Sequence, residues 1–125
     1  MNDQQIEQEI QAKGLTAPRV TPADIEANIA SEHYFIAGQG VRGREEAEGG
    51  KRAFVLPQPL YVLTFCVLVL RNGFTVTGES ACASPENFDA ELGRKIARQN
   101  AVQKLWPLMG YALKERIANP QGAMQ

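Results

Sequence analysis

Residues 71–111, RNGFTVTGESACASPENFDAELGRKIARQNAVQKLWPLMGY, read as a hairpin turn, a strand, a capped helix and a proline break. Asn72-Gly73 is a strong hairpin signal, because both central residues of a type I′ turn take positive φ. A two-residue loop then sets the pairing: Arg71 opposite Phe74, Val69 opposite Val76, Val67 opposite Gly78, Phe65 opposite Ser80, and Leu63 opposite Cys82. These residues share one face, which reads as the better core. The other face pairs Leu70 with Thr75, Leu68 with Thr77, Cys66 with Glu79 and Thr64 with Ala81. In this register Cys66 and Cys82 lie on opposite faces and are not expected to bridge.

The helix is expected to start at Ser84 as N-cap, with Pro85 behind it and Glu86 and Asp89 favoured by the helix dipole. Phe88, Leu92 and Ile96 recur at i, i+4 and i+8, and Val102, Leu105 and Trp106 continue that apolar side. Gly93, Ala97 and Ala101 form a stripe of small residues beside it. A mid-helix glycine costs about 1 kcal/mol against alanine, so a strand or helix is expected to approach closely at Gly93. Gly78, in mid-strand, reads as a bulge or another close backbone approach. Pro107 is expected to end or kink the helix, leaving a short last helix from Leu108 to Ile117 that Asn119-Pro120 closes.

Before the hairpin, Leu60–Leu70 is an apolar run of 11 residues, too short to cross a membrane as a helix and apolar on both strand faces. Both faces of such a strand are usually covered, and a lone two-stranded hairpin is marginal in water. Either Ala53–Leu56 supplies a third strand or a second copy of the chain covers the leucines; a homodimer or larger homo-oligomer is favoured. Further upstream, Thr21 as N-cap, Pro22 and Asp24 open a second helix. Ile25, Ile29 and Ile36 lie near one face of it, and Tyr34 and Phe35 extend its apolar surface. Residues 3–13 form a marginal helix stopped by Gly14.

Residues 37–52 hold five glycines and seven charged residues and read as a mobile loop. They include a formal GxGxxG, Gly38 to Gly43, set aside because a helix is expected before it and a loop after it, where the dinucleotide motif requires a strand and then a helix. The domain plan is a partly ordered segment 1–20, one α+β domain over 21–118, and a flexible tail 119–125. Its parts are N-terminal helices, a small hairpin-centred antiparallel sheet, a long helix packed on that sheet and a short last helix.

At 125 residues and 44% hydrophobic, the chain suffices for one core. A net charge of -1 argues against a general nucleic-acid coat. The charges are uneven: residues 1–50 hold nine acids and four bases, and residues 51–125 hold nine bases and five acids. Head-to-tail contacts, an anionic ligand on the C-terminal half, or chance all fit that split. The start, MNDQQIEQEIQAK, is not a secretion signal, and two cysteines do not make a disulfide framework. The chain is expected in the cytoplasm.

Leu63-Thr64-Phe65-Cys66, Asn72-Gly73-Phe74-Thr75-Val76-Thr77-Gly78-Glu79-Ser80-Ala81-Cys82, Asn87-Phe88-Asp89, Gly93-Arg94-Lys95-Ile96-Ala97 and Trp106-Pro107-Leu108 together resemble a family of small proteins from tailed phages and prophages. It is named after gene product forty-nine of one phage and gene product sixty-six of another. The resemblance spans roughly residues 20–118. It implies a phage accessory protein acting inside a bacterial cell, and it transfers no catalytic residue.

The residues themselves point to binding rather than catalysis. His33 is the only histidine, which excludes multi-histidine metal sites, and a Cys/His zinc site needs more than two cysteines. A Cys-His nucleophile with Cys66 or Cys82 has no third group to orient the base, so no enzyme, metal or cofactor is expected. The candidate ligand- or partner-binding residues are Thr77, Glu79, Arg94, Lys95 and Arg98. Glu79, beside Cys66 in the expected register, is either one end of a sheet-to-helix salt bridge or a carboxylate that accepts from a base or ribose hydroxyl. Arg94, Lys95 and Arg98 form a basic patch that suits a phosphate or an acidic surface, or simply a solvated face with a Glu91–Lys95 pair.

The leading expectation is a non-enzymatic protein that counteracts host functions by binding, in its sharpest form by sequestering a nucleotide immune signal between subunits. One alternative is an interaction module that inhibits or recruits a host enzyme through the acidic N-terminal half and the glycine-rich loop. Another is a replication accessory touching DNA through the basic patch.

Overall fold

The computed structural model describes residues 2–50 and 55–121. The elements are α1 (Asp3–Ala12), α2 (Pro22–Ala27), β1 (Ile29–Ile36), α3 (Ala37–Glu48), β2 (Leu63–Leu70), β3 (Thr75–Ala81) and α4 (Ala90–Ala118). Three antiparallel strands in the order β1-β2-β3 make one open sheet, and α4 packs across one of its faces. The fold is α+β, as the sequence indicates.

The hairpin is present but its register differs by one residue. Among the described residues only glycines take positive φ, so Asn72 cannot occupy a type I′ turn; within the turn Gly73 is the one residue at positive φ, 88°. Leu70 N–H donates to Phe74 O at 2.8 Å and Gly73 N–H to Leu70 O at 2.9 Å. The loop is therefore Arg71-Asn72-Gly73, a turn closed by a glycine bulge. The Asn72 side chain accepts from Phe74 N at 2.9 Å and holds it. Pairing then runs Val69–Thr75, Leu68–Val76, Val67–Thr77, Cys66–Gly78, Phe65–Glu79, Thr64–Ser80 and Leu63–Ala81.

A slip of one residue exchanges the two faces of β3 against β2. The core face is Thr64, Cys66, Leu68 and Leu70 with Val76 and Gly78, all buried; Val76 and Gly78 were expected in the core, but their expected β2 partners Val69 and Val67, with Phe65 and Leu63, lie on the open face. Both cysteines are free. The expected separation of Cys66 and Cys82 by strand face no longer applies, because Cys82 follows β3 with the parity of the Cys66 face.

The third strand comes from β1. The α2 helix keeps its Thr21–Asp24 capping box but stops after six residues at Asn28. The segment from Ile29 on, expected to continue the helix, pairs with β2 from Ile29 opposite Leu70 to Ile36 opposite Thr64. β-branched and aromatic side chains suit either state here, and β2 supplies the partner that settles it. Of the Ala53–Leu56 strand considered from sequence, Ala53 and Phe54 lie outside the described residues, and Val55 and Leu56 are not in a strand.

The helix α4 is one rod of 29 residues with Pro107 inside it, about 44 Å long at 1.5 Å per residue. The expected break into two helices does not occur. One lost N–H bond leaves the remaining bonds to carry the helix across the proline. Its cap is Asp89, whose side chain accepts from Leu92 N at 2.9 Å, while Pro85–Asn87 forms a separate 3-10 turn.

The buried stripe of α4 is Gly93, Ala97, Ala101 and Leu105; Leu92, expected in the core, is 54% exposed, and Ile96 is exposed too. Close approach is the reason. A Cβ on Gly78 would stand 2.2 Å from Ala97 O and 2.3 Å from Ala101 N, and one on Gly93 2.9 Å from Thr64 Oγ1. Helix backbone rests on strand backbone, which leaves room there only for hydrogen or methyl side chains. Gly78 is the close approach foreseen for it, not a bulge.

Two N-terminal elements complete the fold. In α1, Asn2 and Gln5 form a capping box, and Asp3 accepts from Trp106 Nε1 at 3.1 Å and Gln103 Nε2 at 3.3 Å on α4. Arg19 folds back to hold Glu7 with both terminal nitrogens. The glycine-rich segment expected as a loop is helical as far as Glu48, ending on Gly49 at φ 65°; Lys51 and Arg52 lie outside the described residues. Its glycines admit neighbours: Cβ atoms on Gly38 and Gly40 would meet the rings of Tyr61 at 2.9 Å and Phe35 at 3.3 Å.

The GxGxxG therefore does lie between a strand and a helix, contrary to the context assumed for it. It still makes no phosphate loop, since its glycines sit in the helix at ordinary φ and the sheet is antiparallel.

Candidate functional site

The five candidate residues do not converge. Thr77 and Glu79 are exposed on the open face of the sheet, while Arg94, Lys95 and Arg98 lie on α4 behind the other face. Stacked layers stand about 10 Å apart, so no small ligand spans both groups through the sheet.

The open face has a clear composition. Leu63, Phe65, Val67 and Val69 run along its middle, half-buried only by their neighbours. Phe35 from β1 stacks on Phe65 with ring centroids 5.4 Å apart and planes at 20°. Glu79 stands on the far side of Phe65 and Thr77 beside Val67. The Glu79 carboxylate makes no ion pair among the described residues; only its backbone carbonyl is held, by Asn100 Nδ2 at 2.8 Å. The salt bridge considered for it from sequence belongs to other residues.

That bridge is made by Arg98. Its guanidinium meets Glu26 at 2.7 Å and Glu32 on β1 at 3.2 Å, and Tyr34 donates to Glu32 at 2.6 Å. The Tyr34 hydroxyl, and after it Arg98, hold the Glu32 carboxyl below its ordinary value. Burial, then the bond to Glu32, pushes the Tyr34 phenol up. Hydrogen bonding to Glu26 raises the already high value of Arg98 further. Arg98 thus fastens α4 to α2 and β1. Lys95 is exposed and pairs with Glu91 at 3.4 Å. Both line a groove of about 640 Å³ between α1, α2 and α4 whose floor includes Ile25, Val102 and Trp106.

The third position, Arg94, is separate again. It lines a cleft of about 240 Å³ between the end of β1 and the first turns of α3 and α4. It makes no ion pair or side-chain hydrogen bond among the described residues.

The geometry also separates the groups a Cys-His pair would need. His33 bonds Ser31 at 3.0 Å on the open-face side of β1, while Cys66 points into the core. Burial pushes the Cys66 thiol up, away from the reactive thiolate. Cys82 is across the sheet, with Sγ against Ser84 O at 3.1 Å. Among the described residues no cluster of His, Cys, Asp or Glu could hold a metal, and no helix is long and apolar enough to cross a membrane.

Sequence reasoning missed Phe35, Glu32, Gln39 and Thr64. The first two were hidden by reading β1 as helix and Gln39 by reading α3 as loop. For Thr64 a signal was present: a hydroxyl in an otherwise apolar run.

These features define a small α+β protein with one sheet face covered by a single long helix and the other left open. The sequence profile of the Phage protein (N4 Gp49/phage Sf6 gene 66) family matches residues 20–117, and the chain belongs to that family. Helix α1 precedes the matched region. Comparison with curated proteins gave no match, and neither did comparison with solved structures.

Proposed function

We propose that this phage-family protein is an accessory protein that counteracts host functions by binding, without catalysis, and that the open sheet face is its working surface. One observation carries the reading. Among the described residues no element packs across the face bearing Leu63, Phe65, Val67, Val69 and the Phe35 ring, which α3 meets at Phe35, while the opposite face is closed by α4. A contiguous apolar patch of this kind marks an interaction surface. Its cover, in this reading, is a second copy of the chain, giving a homodimer or larger homo-oligomer with Thr77 and Glu79 at the seam.

The sharper form is sequestration of a nucleotide-type immune signal between subunits. A base would stack on the Phe35–Phe65 pair, and its amino group or a ribose hydroxyl would donate to Glu79. The test is native mass spectrometry of the purified protein before and after incubation with small-molecule extract from phage-infected cells. An oligomer that gains a few hundred daltons per site, and loses both properties in Phe65→Lys, supports the reading. A bare monomer contradicts it.

A second reading has its own observation. Helix α3 borders the open face through the Gly40–Phe35 contact and carries exposed Arg44, Glu46 and Glu48, which suits docking of a host enzyme in place of the second copy. Charge reversal at Glu46 and Glu48 that abolishes the host effect while nucleotide affinity stays unchanged would favour it.

A further inference from the structure

Arg94, Gln39 and Thr64, each with a donor that has no partner, line a cleft of about 240 Å³. The Arg94 guanidinium makes no bond among the described residues. The Gln39 side chain is oriented because its Oε1 accepts from Ile36 N at 2.9 Å, which leaves its amide N–H groups to donate elsewhere. Thr64, 2% exposed, has an Oγ1 that is buried without any hydrogen-bond partner.

The cleft has no carboxylate of its own. No Asp or Glu lines it. Tyr34, which does, has already given its hydroxyl hydrogen to Glu32. At the start of α4, Asp89 accepts from Leu92 N and Glu91 pairs with Lys95.

Keeping Thr64 is costly to the fold in two ways. An unpartnered buried hydroxyl loses its hydrogen bonds to water and gains none in return. Its Oγ1 also stands 2.9 Å from where a Cβ at position 93 would go, which favours glycine, a poorer helix former than alanine, in the first turn of α4. Valine has the same shape and would remove the first of these costs. A polar group retained against the fold's interest marks a functional position.

We propose that this cleft is an oxyanion site, taking the phosphate or carboxylate group of a small ligand, with Arg94 as the cationic fork and Gln39 and Thr64 as neutral donors. Its donors match an acceptor-only group, and the planar guanidinium suits two oxygens at once. The volume, below the range of about 300–1,000 Å³ usual for whole-ligand pockets, fits one anionic group with a small body against Tyr34 and Phe35. The site does not depend on the reading of the open face.

The test is an NMR titration of the isotope-labelled protein with inorganic phosphate and, separately, acetate, with ionic strength held constant by chloride. The expected result is saturable movement of the Arg94 Nε–H, the Gln39 side-chain amide and the Thr64 backbone amide. Arg94→Gln should weaken binding about tenfold or more, as loss of a charge-assisted pair requires. Thr64→Val should weaken it about threefold to tenfold while leaving Tm unchanged or higher. Preference for phosphate over acetate identifies a phosphate ester as the natural group, and the reverse a carboxylate. Absence of saturable movement with either anion overturns the site, as does binding that survives both substitutions.

Discussion

The tightest approach at any glycine of the described residues, α4 on β3 at Gly78, makes Gly78→Ala an exacting test of the fold. The added Cβ would stand 2.2 Å from Ala97 O and 2.3 Å from Ala101 N, where ordinary contacts begin at 3.4 Å. Both obstructions are backbone, so no rotamer change relieves them. The helix has to lift by about 1 Å, loosening contacts around Cys66, Leu68 and Leu105, which are fully buried.

Overpacking of this kind costs about 3 kcal/mol, the upper end of its usual range. At about 4 °C per kcal/mol for a domain of this size, Tm should fall by about 12 °C. The assay is thermal and urea unfolding followed by circular dichroism, with the urea slope checked for constancy. Gly110→Ala is the control in the same helix: nothing lies within 4 Å of the place its Cβ would take, so helix propensity alone should raise stability by about 0.5–1 kcal/mol. A Gly78→Ala protein melting within about 2 °C of the parent would refute flush packing of α4 on β3.

Pro107→Ala restores an N–H inside a continuous helix and should stabilise the protein by about 1 kcal/mol or more; reduced stability in urea would instead indicate two helices joined at the proline. Glu32 has a carboxyl held below its ordinary 4.5, so it adds stability above pH 4.5 that is lost as pH falls through the lower folded value. Tm should therefore drop on acidification below pH 4.5, and Glu32→Gln should flatten that drop; an identical acid profile in both proteins contradicts the Tyr34–Glu32–Arg98 arrangement. Trp106 is the only tryptophan and donates to Asp3, so Asp3→Ala should shift its fluorescence to the red at a stability cost of about 1 kcal/mol. An unchanged spectrum would mean that α1 does not dock there in solution.

Part of the candidate site was legible in the residues and part was not. Arg94 was visible as a helix-face cation, but Gln39 and Thr64, which make its surroundings a cleft of donors, are distant in sequence and meet only where three elements end. Arg98 carried the same signal as Arg94 and proves to be bound up in the fold by Glu26 and Glu32. Composition cannot distinguish a free cation from a paired one, because pairing depends on contacts 66 and 72 residues away. Glu79 was expected beside Cys66 and is beside Phe65. That one-residue displacement changes its neighbour from the Cys66 thiol to the Phe65 ring, and in both registers it lies off the face taken as the core.

By itself the sequence determined what local chemistry can determine. Those features are the turn at Asn72-Gly73, the apolar strand before it, the capping box at Thr21, a helix through the 90s, close approaches at Gly78 and Gly93, and the family. The tertiary structure decided the rest. Asn-Gly serves either a two-residue turn or a turn with a glycine bulge, and the choice sets which strand face meets the helix. Residues 29–36 fit helix or strand until β2 offers hydrogen bonds. The helix offered two stripes, and the small one won because Gly78 let the backbones touch. In each case local preferences differ by less than the energy of pairing or packing with a distant segment, so the distant segment chose.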